Sequence, residues 1–181
     1  ICTFAEYFTT NMHLPPVKDI ISLVAQIRPL IDREYEKKNM GMISYSELVL
    51  SMAFTYFAMK NTDYVALEAF LGGRYDATNV IEYPEVSIIT NIGLDHTHIL
   101  GDTLPEIAAD KVGIVKEGCP LVTAEQRPEI LDIFKKETHK FHTNLQVLGK
   151  DFRIENIQIG NNGTVFDYVS EKNTCRQLST P

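Results

Sequence analysis

The feature that most constrains this chain is an alternation of short apolar segments with helical ones. The segments at residues 86–91, 119–123 and 145–148 are apolar, rich in β-branched residues and of strand length. Patterns typical of amphipathic helices lie between them, at residues 103–115 and 129–140. A β-α-β-α-β alternation predicts an α/β fold with a mostly parallel sheet and helices on both of its faces. We expect residues 86–91, which are nearly all apolar, to form a central strand.

Two helices and one more strand are predicted before this alternation. Apolar residues recur at helical spacing over residues 17–38, after Pro15-Pro16 and before a stop at 39–41. A second helix, largely apolar, covers residues 45–60 and opens near Ser44 or Ser46. Residues 63–68 follow it and are predicted to form a strand.

The pattern changes after Lys150. Residues 153–159 and 164–169 alternate between apolar and polar, and Gly160-Asn-Asn-Gly163 separates them, which predicts a β-hairpin. The polar tail from Glu171 is expected to finish a strand and then to be loose. We therefore expect residues 1–181 to be a single domain, with 151–170 as a hairpin appendage.

Composition excludes several classes of function. A formal net charge of −7 argues against a nucleic-acid-binding surface. No apolar run approaches the roughly 20 residues that span a bilayer, so no membrane segment is expected. Cys2, Cys119 and Cys175 form no C-x-x-C pair, which indicates reduced thiols in a reducing compartment, the cytoplasm. Because the chain begins with Ile, we expect it to be part of a longer protein.

The first candidate site segment runs from Leu67 to Asn79. Glu68 stands where an apolar run ends, and ligands of open α/β sheets bind beyond the carboxyl ends of strands. Gly72-Gly73 permits a close backbone approach, and Arg74 is suited to clamp a carboxylate or a phosphate. Polar side chains that can line such a site follow at Asp76, Thr78 and Asn79. The alternative is a plain turn, since these are also turn residues.

Two further segments of this form carry Asp95-His96 and Lys111. Neighbouring parallel strands end side by side, so Glu68, Asp95 and His96 are candidates for one site with Lys111. Carboxylate and imidazole groups together suit Mg²⁺ or Mn²⁺. Lys111 is a candidate for binding phosphate or, as a carbamate, a metal. Alternatively each is structural: a capping or solvated Glu, a core His, and a surface Lys.

The chain contains neither G-x-x-x-x-G-K-[ST] nor G-x-G-x-x-G, so it has no phosphate-cradling loop of its own. Asp110 and Lys116 are expected to be solvated helix charges.

Three motifs in order carry a resemblance to a known family. They are Leu67-Glu-Ala-Phe-Leu-Gly-Gly-Arg-Tyr-Asp-Ala-Thr-Asn79, Ile89-Thr-Asn-Ile-Gly-Leu-Asp-His96 and Ile107-Ala-Ala-Asp-Lys-Val-Gly-Ile-Val-Lys116. From about residue 20 to 170 the chain resembles the central domain of folylpolyglutamate synthase/dihydrofolate synthase, in the Mur ligase superfamily. It departs at Phe70, where the family pattern Glu-Val-Gly-Leu-Gly-Gly has a glycine, and residues 1–16 resemble the family only faintly.

The resemblance implies an ATP-dependent amide-bond ligase. ATP would phosphorylate a carboxylate of folate or dihydropteroate, and the amine of L-glutamate would attack the acyl phosphate. It also implies that Glu68 binds one Mg²⁺ and that His96 and a carbamylated Lys111 support the second, with His96 and Lys111 acting in catalysis. The residues near folate and nucleotide would be Gly72, Gly73, Arg74, Asp76, Thr78, Asn79 and Asp95.

The resemblance further implies a phosphate-binding loop before this region and a glutamate-binding domain after it. The isolated chain is then expected to be inactive. Two alternatives stay open: a Mur-type ligase with a different acceptor, and a non-catalytic binding module that keeps the fold.

Overall fold

The structure, a computed structural model, describes residues 4–37, 41–161 and 163–180. The chain divides into two compact units, residues 1–70 and residues 71–181. None of the helices within the described ranges is long and apolar enough to cross a bilayer. The assignment of the chain to a single domain stays a prediction.

The first unit is a helical pair. Helix α1 is Val17–Glu36 and α2 is Tyr45–Lys60, as predicted, and a 3-10 helix, Phe4–Tyr7, precedes them. The helices share one core and are joined by an ion pair, with Lys60 Nζ 2.8 Å from Asp19 Oδ2. The buried core residues are Phe8, Leu23, Ile27, Met52, Ala53 and Tyr56. Most of the predicted stop at 39–41 lies outside the described residues.

Local chemistry fixes the start of α2. Ser44 accepts a hydrogen bond at 3.3 Å from the backbone N–H of Glu47, and the Glu47 carboxylate accepts one at 2.7 Å from the N–H of Ser44. This capping box satisfies N–H groups that the first helical turn leaves without partners. The Ser44 hydroxyl also donates to the Glu47 carboxylate at 2.6 Å, and this hydrogen bond, with the one from the Ser44 N–H, lowers the pKa of Glu47.

The strand predicted at residues 63–68 is wrong. Residues 63–68 are exposed and belong to neither sheet of the described structure. A strand forms by hydrogen bonding to a neighbouring strand, and its apolar pattern does not supply that partner. Phe70, at the end of this segment, lies beside Tyr7, with ring centroids 6.4 Å apart.

The second unit contains the parallel sheet. Its strands are β1, Ser87–Ile89, β2, Leu121–Thr123, and β3, Leu145–Val147. They pair in parallel in the order β1-β2-β3, so their carboxyl ends are level. The predicted α/β fold with a parallel sheet is confirmed, whereas helices on both of its faces stay a prediction. The central strand is β2 rather than β1, which lies at the edge of the described sheet with Ile88 59% exposed.

Three helices connect these strands. Short helix α3, Thr97–Leu100, and α4, Leu104–Lys111, lie between β1 and β2, and α5, Pro128–Lys140, lies between β2 and β3. Residues of α4 and α5 share a buried cluster with β1 and β2, so these helices cover one face of the sheet. Its members include Ile89, Ile107, Leu121, Ile130 and Phe134. The predicted capping box at Thr103 and Glu106 opens α4.

A second, antiparallel sheet follows. Strands β4, Phe152–Gly160, β5, Gly163–Ser170, and β6, Thr174–Thr180, pair in the order β4-β5-β6. The predicted hairpin is confirmed, but the expectation of a loose tail is wrong because β6 is a strand. All seven residues of β6 are exposed, and its sequence does not alternate between apolar and polar residues. The strand is defined by its pairing with β5.

Candidate functional site

The glycine pair of the first candidate segment packs directly against the end of α4. The N–H of Gly73 donates to Asp110 Oδ1 at 2.8 Å, and the N–H of Arg74 donates to the Asp110 carbonyl at 3.0 Å. A Cβ on Gly73 would lie 2.6 Å from the carbonyl oxygen of Lys111. Gly72 adopts a φ of +69°. Glycine is therefore required here by close approach and by backbone conformation, and the contact reaches the backbone of Lys111.

Asp76 organises the turn that follows. Its Oδ2 accepts from the N–H of Leu71 at 2.8 Å, and its Oδ1 accepts from the N–H and the hydroxyl of Thr78 at 2.9 and 2.5 Å. Thr78 is buried. The polar groups of Asp76 and Thr78 are thus used to fold the segment itself.

Arg74 and Asn79 attach the same segment to the helices. The guanidinium of Arg74 donates to the Ala109 carbonyl at 3.2 Å and lies 3.6 Å from a Glu137 carboxylate oxygen. The amide of Asn79 donates to the carbonyls of Arg74 and Gly113, at 2.9 and 3.2 Å. We call residues 71–80, with these contacts, the docked loop.

The expectation that Asp110 and Lys116 are solvated helix charges is wrong. Asp110 accepts from Gly73, as described, and the ammonium of Lys116 donates to the Asn79 carbonyl at 3.2 Å. Both are partly buried. Their partners lie 37 residues away in sequence, which is why local spacing gave no sign of these contacts.

Asp95 and His96 lie in a second segment, residues 90–96, between β1 and α3, which we call the exposed loop. Asp95 Oδ1 accepts from the N–H of His96 at 2.8 Å, while Asp95 Oδ2 lies 3.7 Å from His96 Nε2. The two side chains are 82% and 52% exposed. His96 has a left-handed backbone, with φ +50°, just before α3. A carboxylate oxygen and an imidazole nitrogen are thus presented side by side to solvent.

Sequence reasoning missed a buried ion pair at the carboxyl end of β2. Glu125 is 3% exposed and pairs with Arg127, whose Nη2 lies 2.6 Å and whose Nε lies 2.8 Å from its two carboxylate oxygens. Glu125 Oε2 accepts from the N–H of Ile92 at 2.9 Å, and Arg127 donates to the Ile92 carbonyl. The available signal was a carboxylate directly after a predicted strand, the rule that selected Glu68.

Electrostatics favour the ionised form of Glu125. The hydrogen bonds from Arg127 lower the pKa of Glu125 far below its ordinary value, and burial opposes them only in part. Further N–H donors from the backbone of Arg127, Ile92 and Gln126 act in the same direction. The carboxylate is therefore a fixed charge at neutral pH, with hydrogen bonds on both of its oxygens.

The structure groups the predicted site residues into sets. Gly72, Gly73, Arg74, Asp76, Thr78 and Asn79 form the docked loop, which touches the backbone of Lys111, and Asp95 lies beside His96. Lys111 is half-buried as the last residue of α4. Glu68 belongs to the other compact unit and is exposed. The metal and catalytic roles of Glu68, His96 and Lys111 stay predictions.

The donors at the exposed loop fit Mg²⁺. Among residues that the structure describes, no three His, Cys, Asp or Glu side chains are grouped to hold a metal. Mg²⁺ seldom uses an all-protein cage; it keeps several waters and binds one or two carboxylates together with phosphate oxygens. Asp95 offers one such carboxylate to solvent, with the imidazole of His96 beside it.

This arrangement is that of a known family: residues 20–181 match the Mur ligase middle domain, and the chain belongs to that family. The dihydrofolate synthase/folylpolyglutamate synthase of Bacillus subtilis is 35% identical over 181 residues, 99% of this chain and 42% of the relative. That alignment takes in nearly all of residues 1–16, where only a faint resemblance was expected.

Solved structures agree. A folylpolyglutamate synthase of Thermotoga maritima is 34% identical, with a TM-score of 0.78, and covers 93% of this chain and 38% of its own. An FPGS–AMPPCP–folate complex superimposes with a TM-score of 0.83 at 27% identity, over 93% and 41% of the two chains. The predicted resemblance is confirmed. This chain spans about two fifths of the length of these relatives.

Proposed function

We propose that this chain is the central domain of an ATP-dependent ligase that joins L-glutamate to folate or dihydropteroate. The observation that carries the proposal is the 35% identity with a dihydrofolate synthase/folylpolyglutamate synthase across the length of this chain. An FPGS that superimposes on 93% of the chain holds folate and the ATP analogue AMPPCP, which supports the same ligands here.

The proposed reaction has two steps. A carboxylate oxygen of the acceptor attacks the γ-phosphorus of ATP, which releases ADP and leaves an acyl phosphate. The amine of L-glutamate then attacks the acyl carbon, phosphate leaves with the bonding electrons, and the amine loses a proton. Catalysis of phosphoryl transfer consists mostly of positioning and of neutralising the developing negative charge.

Residues of this chain would supply part of that neutralisation. Mg²⁺, when bound, would offset charge on the phosphoryl oxygens. Glu68 is the proposed ligand of one Mg²⁺. His96 is the proposed ligand of a second, with Asp95 as the neighbour that offers an oxygen beside His96 Nε2. The Lys111 amine would add CO₂ and lose a proton to form an anionic carbamate. The docked loop would hold Lys111 in place through Gly73, beside the nucleotide and folate.

The phosphate cradle would come from outside residues 1–181, since this chain carries no G-x-x-x-x-G-K-[ST] sequence. The glutamate-binding domain would also come from outside. The chain on its own should therefore catalyse no ligation, whereas the longer protein that contains it should.

The direct test is an assay of that longer protein with ATP, L-glutamate and separate acceptors: folate, dihydropteroate and a non-pterin carboxylate. We expect ADP release that depends on folate or dihydropteroate, and a hydroxamate when hydroxylamine traps the acyl phosphate. Turnover only with the non-pterin acceptor would indicate another Mur-type ligase. Absence of turnover with every acceptor would indicate a binding module.

A variant pair tests the site. His96→Ala should lower kcat about a hundredfold or more, the usual cost of losing one group that stabilises transferring charge. His98→Ala is the matched control, because His98 lies on α3, which begins directly after His96, and its ring lies 6.3 Å from that of His96. Equal losses in both variants would contradict the assignment of His96.

Lys111 has a spectroscopic test. In ¹³C-bicarbonate, the full-length protein should show a carbamate carbon resonance that Lys111→Arg lacks and Lys116→Arg retains. A resonance present in all three proteins would contradict carbamylation at Lys111.

A further inference from the structure

The pair Glu125–Arg127 occupies a position where ligands bind in open α/β sheets. Glu125 lies two residues beyond the last residue of β2, and β1 and β2 end level with each other, Ile89 opposite Thr123. The region beyond the carboxyl ends of parallel strands is the ligand side of such a sheet. The pair therefore lies near the start of the exposed loop, where it contacts Ile92.

Both polar backbone groups of one residue are held by this pair. The N–H of Ile92 donates to Glu125 Oε2, and the carbonyl of Ile92 accepts from Arg127. The Ile92 side chain is 2% exposed and belongs to the buried cluster beneath. Ile92 is thus fixed through its side chain and through the peptide groups on both sides.

Beyond Ile92 the exposed loop has few other supports. Gly93, Leu94 and Asp95 are exposed, and a Cβ at Gly93 would meet nothing within 4 Å. The next fixed element is α3, which starts at Thr97 directly after His96. Its last residue, Leu100, has a side-chain carbon 2.8 Å from the position of a Cβ on Gly72. The direction in which Asp95 and His96 leave the sheet is therefore set by Ile92 at one end and by α3 at the other.

A charged pair at this place is costly to keep for stability alone. Burying Glu125 requires desolvation, and well-packed apolar residues often replace buried ion pairs at no loss of stability. An apolar replacement, however, would satisfy neither the N–H nor the carbonyl of Ile92. Charge-assisted hydrogen bonds are strong and directional, so this pair fixes an orientation that apolar packing does not.

We infer that Glu125 and Arg127 are positioning residues that orient the Asp95–His96 donors toward the metal and phosphates of the ligase. The inference rests on the proposed function. Neither residue is assigned contact with a substrate; both act through the backbone of Ile92. Groups that hydrogen-bond directly to metal ligands usually account for about 10- to 100-fold in metal affinity or activity, and for a pair that acts through the backbone we expect the lower end of that range.

The experiment uses the full-length protein with Arg127→Ala and Arg127→Lys, and Arg153→Lys as the matched control. Arg153 also pairs with a glutamate two residues away, Glu155, but it lies on β4 with its side chain 63% exposed. Three quantities are measured: amide hydrogen exchange over residues 91–96, Mn²⁺ affinity from the broadening of the His96 ring resonances, and kcat and KM for ATP.

For Arg127→Ala we expect about tenfold faster exchange confined to residues 91–96, about tenfold weaker Mn²⁺ binding, and a fall in kcat of the same order with KM for ATP little changed. Arg127→Lys should show smaller changes in exchange, Mn²⁺ affinity and kcat than Arg127→Ala. Added guanidinium should partly restore the Mn²⁺ affinity and kcat of Arg127→Ala. Arg153→Lys should match the wild type in all three quantities.

Exchange that rises equally throughout the chain would mean that Arg127 only stabilises the fold, and would overturn the inference. Unchanged Mn²⁺ affinity and kcat in Arg127→Ala would overturn it as well. A wild-type protein that ligates no folate contradicts the proposed function instead. The exchange and Mn²⁺ affinities of the variants would still test whether Arg127 orients Asp95 and His96.

Discussion

The docked loop and the exposed loop are both short, polar and rich in residues that bind ligands, yet they use their side chains in opposite ways. In the docked loop, the side chains of Asp76 and Asn79 form hydrogen bonds with the backbone of the loop and of its neighbours. In the exposed loop, Asp95 and His96 turn to solvent, and the anchoring groups come from β2 and the residues after it. A similar composition therefore forms a scaffold in one place and a candidate reaction surface in the other.

The comparison also separates where stability and chemistry should be sensitive. Changes in the docked loop should lower stability because they break contacts with α4 and α5. Changes at the tip of the exposed loop should leave stability unaltered and change binding. Changes at Glu125 or Arg127, which we call the anchor of the exposed loop, should both lower stability and change binding.

The anchor should give the largest effect on stability. Glu125→Gln removes the charge that accepts from Arg127 and Ile92, and we expect a loss of about 2 to 3 kcal/mol in the free energy of unfolding at pH 7. Urea denaturation followed by circular dichroism measures it. A loss below about 0.5 kcal/mol would show that the exposed loop does not depend on this anchor.

The same variant has a pH signature. Because the pKa of Glu125 is lowered in the folded state from an ordinary value of 4.5, its contribution is fully present above that value. It is lost progressively as the pH falls below 4.5, toward the folded-state pKa. The stability difference between wild type and Glu125→Gln should therefore shrink on acidification and stay constant from pH 6 to 8. A difference that grows on acidification would contradict the sign of the shift.

Gly73→Ala should give the next largest loss, about 2 kcal/mol, because the new Cβ would lie 2.6 Å from the Lys111 carbonyl and 2.9 Å from its Cα. The backbone of the docked loop or of α4 would have to move. Gly93→Ala in the exposed loop is the control, since nothing lies within 4 Å of its Cβ position, and it should stay within about 0.5 kcal/mol of wild type. Equal effects of the two substitutions, measured by urea denaturation, would remove the distinction between the loops.

Asp76→Ala should lower the free energy of unfolding by about 1 to 2 kcal/mol, since it leaves the N–H groups of Leu71 and Thr78 without their acceptor. Thermal unfolding of Asp76→Ala beside Asp95→Ala makes the comparison directly. If Asp95→Ala proves the less stable of the two, the docked loop is not the scaffold.

Asp95→Ala should have the smallest effect on stability, within about 0.5 kcal/mol of wild type, because the side chain is 82% exposed. Its effect should appear in binding: Mn²⁺ affinity of the full-length protein should fall, as measured by isothermal titration calorimetry. Mn²⁺ affinity unchanged from wild type would show that Asp95 supplies no oxygen to the metal.

Several features of the fold followed from the sequence because their chemistry is local. The start of α2 was placed near Ser44 or Ser46, and Ser44 is its N-cap. The predicted capping box of α4 joins residues three apart, Thr103 and Glu106. The alternation of short apolar segments with helices predicted the parallel sheet, and Gly160 to Gly163 marked the hairpin. Spacing and residue type were sufficient in each case.

Features that depend on a distant partner did not follow. Residues 63–68 have the composition of a strand but no hydrogen-bonded partner in the described sheets, while β6 has no apolar pattern and is held by β5. The residues of the candidate site also separate into those with local signals and those that depend on distant partners. Asp95, His96 and Lys111 were selected by motif and their roles stay predictions, whereas the contacts of Asp110, Glu125 and Arg127 were not predicted.

The sequence by itself therefore determined the class of fold, the helix starts and the residues that carry the family's motifs, because these depend on neighbours within a few positions. Only the tertiary structure decided which polar residues are structural and which face solvent. That decision rests on contacts such as Gly73 with Asp110 and Ile92 with Glu125, which join residues 37 and 33 positions apart. Hydrogen-bonding capacity is a property of a residue, but whether a partner uses it is set by the fold.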